Sequence, residues 1–296
     1  MMISKSLTTR EVARICRVSD ATVKRWEDAG LIISERTSGG HRRFRAEEIA
    51  RFQREQNLGV KHKYGDESII RTRTQRVENT NHSDLPFFHS LVAGAEAEAV
   101  NLLITAHLHG KTLTDIFDDL ICPAMNCIGE LWYKGDLSVA QEHLATRTAQ
   151  SAIHTLRRTL PVPEMRGELA MCCGIEGDFH ELPTHLAQMT IENEGWEVLN
   201  FGANMPLHSM TEEILQHLPE LICISATLMP DIERISRDYK DFRERIGKLK
   251  IPVIIGGRAF SDGQIRNRFP AEFYAETFND VAEFVKNIVR KNRDQL

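Results

Sequence analysis

The 296-residue sequence lacks the features that define several protein classes. It contains no apolar run near the ~18 residues that a membrane-spanning helix needs, and its start, MMISKSLTTREVAR, has no apolar core of the kind found in signal peptides. With 18 glycines and 10 prolines it is neither collagen-like nor of low complexity. Hydrophobic residues make up 42% of the chain, which is enough for buried cores. We therefore expect a soluble, cytoplasmic protein of two or three domains, without membrane contact.

The sequence also lacks a cysteine pattern for metal binding. No two cysteines form a C-x-x-C pair, and no spacing matches a zinc site. In the absence of an export signal we expect six reduced thiols, mostly buried as small hydrophobic residues. They are Cys16, Cys122, Cys127, Cys172, Cys173 and Cys223.

The net charge of −5 conceals an asymmetry along the chain. Residues 1–76 contain 17 Lys and Arg against 10 Asp and Glu, a net charge of +7. The remaining residues contain 20 against 32, a net charge of −12. A basic segment joined to an acidic body favours nucleic-acid contact at the N-terminal end, although many basic faces are only solvated.

Residues 7–54 have the pattern of a winged helix-turn-helix. Thr8 and Glu11 have the spacing of a capping box at a helix start. A second helix over residues 21–27, with Ser19 or Asp20 as its cap, completes a helix-turn-helix whose second helix can enter a major groove. A glycine pair then permits a tight hairpin, the arginines after it suit phosphate contacts, and a third helix begins near residue 46.

The motifs TxxEVA, ATVKRWEDAGLI and GGHRRF make residues 7–54 resemble the DNA-binding domain of MerR-type transcription regulators. The resemblance implies a double-stranded DNA operator as partner, contacted by the second helix and by the wing. The implied DNA-binding residues are Thr22, Lys24, Arg25, His41, Arg42 and Arg43. The alternative interpretation is a small helical module with a solvated basic loop.

The middle of the chain predicts a linker followed by a helical bundle. Residues 59–83 are polar, charged and poorly periodic, which indicates a flexible linker, and it separates a first domain at residues 1–58 from the bundle. Residues 84–163 have helical periodicity and short connections, which predict a four-helix bundle. A turn at Gly135 can bring Trp132 close to Glu142 and His143. By itself, an aromatic residue near a Glu-His pair is more often core plus surface than a site.

Residues 167–291 alternate between strand and helix patterns five times. The predicted strands are 168–173, 197–201, 221–225, 253–255 and 272–276, and a helix over 281–289 closes the segment. This alternation predicts a parallel sheet with helices on both faces, a flavodoxin-like (Rossmann-type) domain. The fold class is therefore multidomain, α and α/β. Ligands of such sheets bind at the carboxyl ends of the strands.

The loops at those strand ends carry candidate ligand-binding residues. Asp178 could accept a hydrogen bond from one ring N–H of His180 and raise the basicity of the other nitrogen, as in metal sites. Two hydroxyls, of Ser225 and Thr227, follow the third strand, and the pair Gly256–Gly257 lets a ligand approach the backbone closely. A DxH sequence by itself is more often a loop histidine.

These loops together resemble the cobalamin-binding fold of methionine synthase and the mutases, with its DxHxxG, SxL or SxT, and GG motifs. The resemblance implies that the cobalamin's own base is displaced and buried near Ser225 and Gly256, while His180 ligates cobalt from below. Asp178, Thr227 and Gly257 belong to the same set of cofactor-binding residues.

Nearly the whole chain outside the linker resembles the CarH/LitR family of MerR-type, cobalamin-dependent, light-sensing transcriptional repressors. The further motif is WxxG…VAxEH, present as residues 132–143. The resemblance implies adenosylcobalamin as cofactor, with Trp132, Glu142 and His143 around the adenosyl group. It also implies a non-enzymatic regulator that binds its operator as a homotetramer in the dark and dissociates when light breaks the cobalt–carbon bond.

Two positions depart from the family pattern. Pro183 replaces the glycine of DxHxxG; proline suits the first turn of a helix, although its ring can alter the approach to the nucleotide tail. Tyr133 stands where photoreceptor members can carry a histidine that captures cobalt once the adenosyl group leaves, with His143 as a nearby substitute. The sequence therefore supports cobalamin binding better than it supports light switching.

Two alternatives stay open on the sequence. The sensor region could bind another tetrapyrrole or no ligand, and act through oligomerisation or a protein partner. The chain could also be a corrinoid carrier for an enzyme, in which His180 supports methyl transfer, although the fused DNA-binding domain argues against that role.

Overall fold

The computed structural model describes residues 6–56 and 85–293, so the predicted linker at 59–83 lies outside the described residues. The chain divides into two compact units, Met1–Pro161 and Val162–Leu296. The finer division of the first unit at residue 58 stays a prediction. Within the described ranges no helix combines the length and the apolar content that a bilayer crossing needs.

The first unit begins with a winged helix-turn-helix. Its elements are β1 (Leu7–Thr8), α1 (Thr9–Cys16), α2 (Asp20–Asp28), β2 (Glu35–Arg36), β3 (Arg42–Phe44) and α3 (Ala46–Glu55). Strand β3 pairs antiparallel with both β1 and β2, and the β2–β3 hairpin is the wing. The capping box forms as predicted, because the Glu11 amide donates to Thr8 Oγ1 (3.2 Å) and the Thr8 amide donates to Glu11 Oε2 (2.8 Å). Sequence analysis missed only the short strand β1.

A four-helix bundle follows in the same unit. Its elements are α4 (Pro86–Val92), α5 (Glu96–Leu108), α6 (Leu113–Ile116), a π-helical turn (Phe117–Ile121), α7 (Cys122–Lys134) and α8 (Val139–Thr159). Helices α4, α5, α7 and α8 pack against one another, and α3 packs against α5 and α8. The π-helical turn precedes Pro123, whose missing N–H cannot continue the α-helical hydrogen bonds. Ala145, Ala149 and Ala152 are fully buried, so α8 can approach its neighbours closely.

The second unit is a doubly wound α/β domain. Its elements are β4 (Leu169–Gly174), α9 (Leu182–Asn193), β5 (Glu197–Asn200), α10 (Leu207–His217), β6 (Leu221–Ser225), α11 (Ile232–Ile246), β7 (Val253–Gly256), α12 (Gly263–Arg266), β8 (Phe273–Ala275) and α13 (Phe278–Arg293). All five strands are parallel, in the order β5-β4-β6-β7-β8. Every predicted strand is confirmed, with its ends within one residue of the prediction.

The two faces of this sheet are buried in separate cores. Met171 and Ile224 point into a core closed by α10 and α11, whereas Cys172 and Cys223 point into the core that contains Trp196. This alternation follows from the two-residue period of a strand. The buried thiols are not joined in disulfides, and burial raises the pKa of Cys173 to about 12. The strand order reverses between β4 and β6, which makes their carboxyl ends the expected ligand site.

Candidate functional site

The loop over residues 175–180, called the histidine loop below, leaves the carboxyl end of β4 beside that of β6. The Ile175 amide donates to the Ser225 carbonyl (2.9 Å), so the loop starts as an extension of the sheet. It then turns at Gly177, which has a φ of 84°. This path puts Asp178 and His180 at the point where the strand order reverses.

Asp178 and His180 form the pair that the sequence predicted. Asp178 is 1% exposed, and its Oδ1 lies 2.5 Å from His180 Nδ1. A carboxylate only accepts hydrogen bonds, so Nδ1 carries the proton and Nε2 is the nitrogen with a lone pair for a metal. The imidazole is 48% exposed, so a bound group can reach it from outside the domain.

Asp178 also joins the two central loops of this edge. Its Oδ2 accepts a hydrogen bond from the Thr227 amide (2.6 Å), and its Oδ1 accepts one from the His180 amide (3.2 Å). Burial by itself would raise the pKa of Asp178, but the hydrogen bonds from the His180 ring and from the two amides outweigh burial and lower it below its usual value. Asp178 is therefore an anion that fixes His180. The predicted residue Thr227 contributes its backbone here.

The surroundings of Ser225 indicate whether the carboxyl edge of the sheet suits a large polar cofactor. It ends β6 and is buried, and its Oγ has no hydrogen-bond partner among the described residues. A buried hydroxyl without a partner costs free energy, so a ligand that hydrogen-bonds Ser225 would remove that cost. Together with the oriented imidazole of His180, this unpaired hydroxyl fits a metal-containing cofactor with polar groups, as a cobalamin is.

Close packing of the neighbouring loops explains why two glycines follow one another at the end of β7. Gly257 has a φ of 101°, and a Cβ there would lie 2.3 Å from the Ala226 carbonyl oxygen. At Gly256 a Cβ would lie 3.3 Å from the Ala275 carbonyl oxygen. The close approach at Gly257 is thus made by the loop after β6, and the glycines hold the loops around Ser225 together.

Sequence analysis missed Asn204, which lies in the loop after β5. Its Oδ1 accepts a hydrogen bond from the Gly177 amide (2.8 Å), and its own amide donates to the Asp178 carbonyl (2.8 Å). The signal was present as Gly202-Ala203-Asn204 directly after a strand, because glycine and asparagine there predict a turn at the same edge of the sheet.

The bundle carries a separate exposed patch at the junction of α7 and α8. Gly135 ends α7 in a left-handed conformation, and Ser138 caps α8 through a capping box with Gln141. Trp132 is 44% exposed and Tyr133 is 86% exposed, which is unusual for aromatic side chains. The remaining exposed apolar members of this bundle patch are Val139 and Leu144.

Glu142 and His143 lie on α8 next to these residues. Glu142 Oε2 lies 3.6 Å from His143 Nε2, and Glu142 Oε1 accepts a hydrogen bond from Thr146 Oγ1 (2.8 Å). The His143 side chain is exposed, whereas that of Glu142 is largely covered. The patch therefore exposes aromatic and imidazole groups, and the largely covered Glu142 carboxylate lies beside the His143 ring.

On the winged domain, α2 exposes the predicted Lys24 and Arg25. Thr22 is half-buried, and its hydroxyl lies 3.0 Å from that of Ser19, the N-cap of the helix. On the wing, His41 is exposed and its amide donates to Thr37 Oγ1 (3.2 Å).

The two arginines of the wing, predicted alike, differ in their surroundings. The Arg42 guanidinium donates to the Glu27 carboxylate and to Asp28 Oδ1 (3.2 Å), so it ties the wing to α2. The hydrogen bonds from Ser34 and Arg42 lower the pKa of Glu27 below its usual value. Arg43 makes no ion pair with any residue of the described ranges. Its charge is therefore not neutralised there.

Two family models match the chain. The MerR family regulatory protein model matches residues 8–44, which run from β1 to the end of the wing. The B12 binding domain model matches residues 86–157, which span the four-helix bundle.

Curated relatives and a solved structure add to this. The chain is 26% identical to the HTH-type transcriptional repressor CarH of Myxococcus xanthus over 48% of this chain and 47% of that protein, so the match spans about half of CarH. It is 23% identical to the repressor CarA of the same organism, over 85% of this chain and 86% of CarA.

The monomethylamine corrinoid protein of Methanosarcina barkeri has a similar fold, with a TM-score of 0.56 at 20% identity over 68% of this chain and 96% of that one. The chain thus joins a MerR family regulatory segment to a B12 binding domain and is a relative of the transcriptional repressors CarH and CarA.

Proposed function

We propose that this protein is a transcriptional repressor whose binding to an operator depends on bound adenosylcobalamin and on light. The observation that carries the proposal is the Asp178–His180 pair at the switch point of the sheet, in a chain that begins with a winged helix-turn-helix. The imidazole supplies a cobalt ligand, and the winged domain supplies the DNA contact.

The second unit would bind the cobalt and the nucleotide tail of the cofactor. His180 Nε2 would be the cobalt ligand, because Asp178 keeps the proton on Nδ1. The Ser225 hydroxyl would donate to the nucleotide tail, which gives this buried group its missing partner. Gly256 and Gly257 keep the neighbouring backbone close enough to shape this end of the site.

The bundle patch would bind the adenosyl group. Trp132 offers an aromatic face for stacking on the adenine, and Glu142 and His143 offer hydrogen bonds to the ribose. When bound, adenosylcobalamin supplies a cobalt–carbon bond that visible light breaks. Loss of the adenosyl group would leave Trp132 exposed, and the homo-oligomer, a tetramer in the dark, would then dissociate and release DNA.

Tyr133 concerns the part of this proposal that describes the response to light. Photoreceptor members of the resembled family can carry a histidine there, whereas the phenol of Tyr133 is a poor cobalt ligand. Tyr133 would therefore not supply a second protein ligand to cobalt, and His143 is the nearby side chain that would take this role.

The test is a dark titration with adenosylcobalamin followed by ultraviolet–visible spectroscopy, then green illumination and size-exclusion chromatography of the same sample. A bound spectrum and a light-driven change in elution volume support the proposal in full. A bound spectrum without a change in assembly leaves a cobalamin-dependent regulator that does not respond to light.

A protein fraction that elutes colourless after adenosylcobalamin has been added, and so has bound none, would contradict the proposal. It would favour the second candidate, a MerR-type regulator whose sensor units bind another tetrapyrrole, or no ligand, and act through oligomerisation or a protein partner. The departures at Tyr133 and Pro183 motivate this candidate. Pro183 lies in the first turn of α9, where proline is readily accepted. The fold at this position therefore gives no support to the second candidate.

A further inference from the structure

We propose that Asn204 is a positioning residue that fixes the histidine loop in its cobalt-ligating geometry before any cofactor binds. This inference rests on the proposed function for its consequence, but the geometry it describes belongs to the chain alone. Asn204 lies outside the motifs identified in the sequence, and it belongs to the loop after β5, the edge strand that pairs with β4.

Asn204 holds the histidine loop by two hydrogen bonds on consecutive residues. Its side-chain oxygen accepts from the Gly177 amide (2.8 Å), which precedes Asp178. Its backbone amide donates to the Asp178 carbonyl (2.8 Å). One residue thus fixes the backbone on both sides of the Asp178 α-carbon, and Asp178 in turn fixes the imidazole of His180.

The backbone conformation explains why asparagine occupies this position. Asn204 has a φ of 55°, in the left-handed region that asparagine tolerates better than most residues. That conformation lets its amide and its side-chain oxygen face the same loop. The next residue, Met205, donates its amide to the Gly174 carbonyl (2.9 Å), so the turn is anchored to the end of β4.

The opposite side of the histidine loop is held independently. A Cβ on Gly177 would lie 3.0 Å from Pro230 Cγ, so the loop lies against the segment before α11. Arg234 of α11 donates to Glu176 Oε2 (2.9 Å). With that side already fixed, loss of the Asn204 contacts would loosen the other side, where they hold Gly177 and the Asp178 carbonyl. Fixing a ligand in advance avoids the entropy cost of ordering it on binding.

The experiment compares Asn204→Gly with Asn204→Asp in the full-length protein. Glycine keeps the backbone conformation but removes the oxygen that accepts from Gly177, whereas aspartate keeps an acceptor and restores the contact. Lys250→Gly is the matched control, because Lys250 is also a left-handed residue (φ 53°) in the same unit and lies outside the histidine loop.

The first readout uses the protein without cofactor. In Asn204→Gly we expect the Gly177 amide to exchange with deuterium at least about tenfold faster, since one hydrogen bond that protects it is gone. We also expect the ring ¹⁵N signals of His180 to shift away from the Nδ1–H tautomer. Asn204→Asp and Lys250→Gly should match the wild type. Unchanged Gly177 exchange and unchanged His180 signals in Asn204→Gly would overturn the inference.

The second readout is the dark spectrum after adenosylcobalamin is added. We expect Asn204→Gly to bind about 3- to 10-fold more weakly, the equivalent of one net hydrogen bond, with a smaller fraction in the form whose cobalt is ligated by histidine. Asn204→Asp should restore both. Wild-type affinity together with a wild-type spectrum in Asn204→Gly would overturn the link to cobalt. If the wild type binds no cobalamin, the proposed function fails, while the first readout still decides whether Asn204 positions His180.

Discussion

At the scale of single residues, an exposed histidine becomes a candidate metal ligand only through what holds it. His180 is half-exposed, which is ordinary for a loop histidine, but its Nδ1 lies 2.5 Å from a carboxylate that is itself buried. A buried carboxylate needs compensating donors, and Asp178 has the Thr227 and His180 amides. Asp178 therefore holds the His180 ring in one orientation, with the proton on Nδ1.

Replacing His180 by alanine should weaken cobalamin binding at least about tenfold, because the variant lacks the imidazole that Asp178 holds in position as a metal ligand. A dark spectroscopic titration measures the effect, and the variant should show cobalt without a histidine ligand. His217→Ala is the control, since His217 lies at the end of α10, 3.5 Å from Glu213, outside the site. Equal affinities of His180→Ala and wild type would show that His180 is not the ligand.

At the scale of elements, the loops at the carboxyl edge are packed against one another by backbone contacts. Gly257→Ala should destabilise the second unit by roughly 3 kcal/mol, because the new Cβ would lie 2.3 Å from the Ala226 oxygen and φ is 101°. Chemical denaturation measures the change. Gly263→Ala, with no atom near the new Cβ, should change stability by less than about 0.5 kcal/mol. Equal stability of the two variants would contradict the packing argument.

Glu272 ties β8 to its neighbours and gives the second unit a pH-dependent contribution to stability. Its carboxylate accepts from both Arg243 nitrogens (2.9 and 2.6 Å) and from the Val253 amide (2.8 Å). Burial by itself would raise the pKa of Glu272, but these hydrogen bonds outweigh burial and lower it.

A carboxyl whose pKa is lower in the folded state stabilises the fold above its unfolded pKa of about 4.3, and this stabilisation is lost as the pH falls through the folded pKa. Glu272→Gln should therefore cost about 1 kcal/mol at pH 7, a modest value because the side chain is partly exposed, and the difference from wild type should shrink as the pH falls below the unfolded pKa. Denaturation at several pH values measures this. Glu244→Gln is the control, because Glu244 lies in a long exposed pair with Lys240 (3.9 Å), and it should change stability at pH 7 by less than about 0.5 kcal/mol.

At the scale of the whole molecule, charge is divided between a basic N-terminal segment and an acidic remainder. DNA affinity of the full chain should fall steeply with salt, because bound lysines and arginines release counterions from the phosphates. Arg43→Ala should weaken binding to any duplex and reduce the slope of log affinity against log salt by about 1. Fluorescence anisotropy across a salt series measures both quantities.

Arg42→Ala serves as the comparison, because its charge is already paired with Glu27 and Asp28. It should lower the stability of the winged domain, since Glu27 and Asp28 each lose one ion pair, and change the salt slope less than Arg43→Ala. A slope unaltered by Arg43→Ala would remove the wing from the DNA interface.

The sequence by itself determined the elements and the candidate ligands. Periodicity, capping residues and turn signals gave all five strands of the second unit, the helix-turn-helix with its wing and the bundle, because those signals are local. The Asp178–His180 contact was also predictable, since two residues of one loop can touch in few other ways. The DNA-binding and bundle residues stay predictions of the same kind.

Only the tertiary structure decided which groups from distant loops meet. Asn204 and Gly177 are 27 positions apart in the sequence, and Asp178 and Thr227 are 49 apart, yet both pairs are hydrogen-bonded. Likewise, the sequence pattern does not distinguish Arg42 from Arg43, and only folding brings Arg42 to Glu27. Such contacts depend on strand order and loop approach, which arise from packing of the entire unit, so no local pattern encodes them.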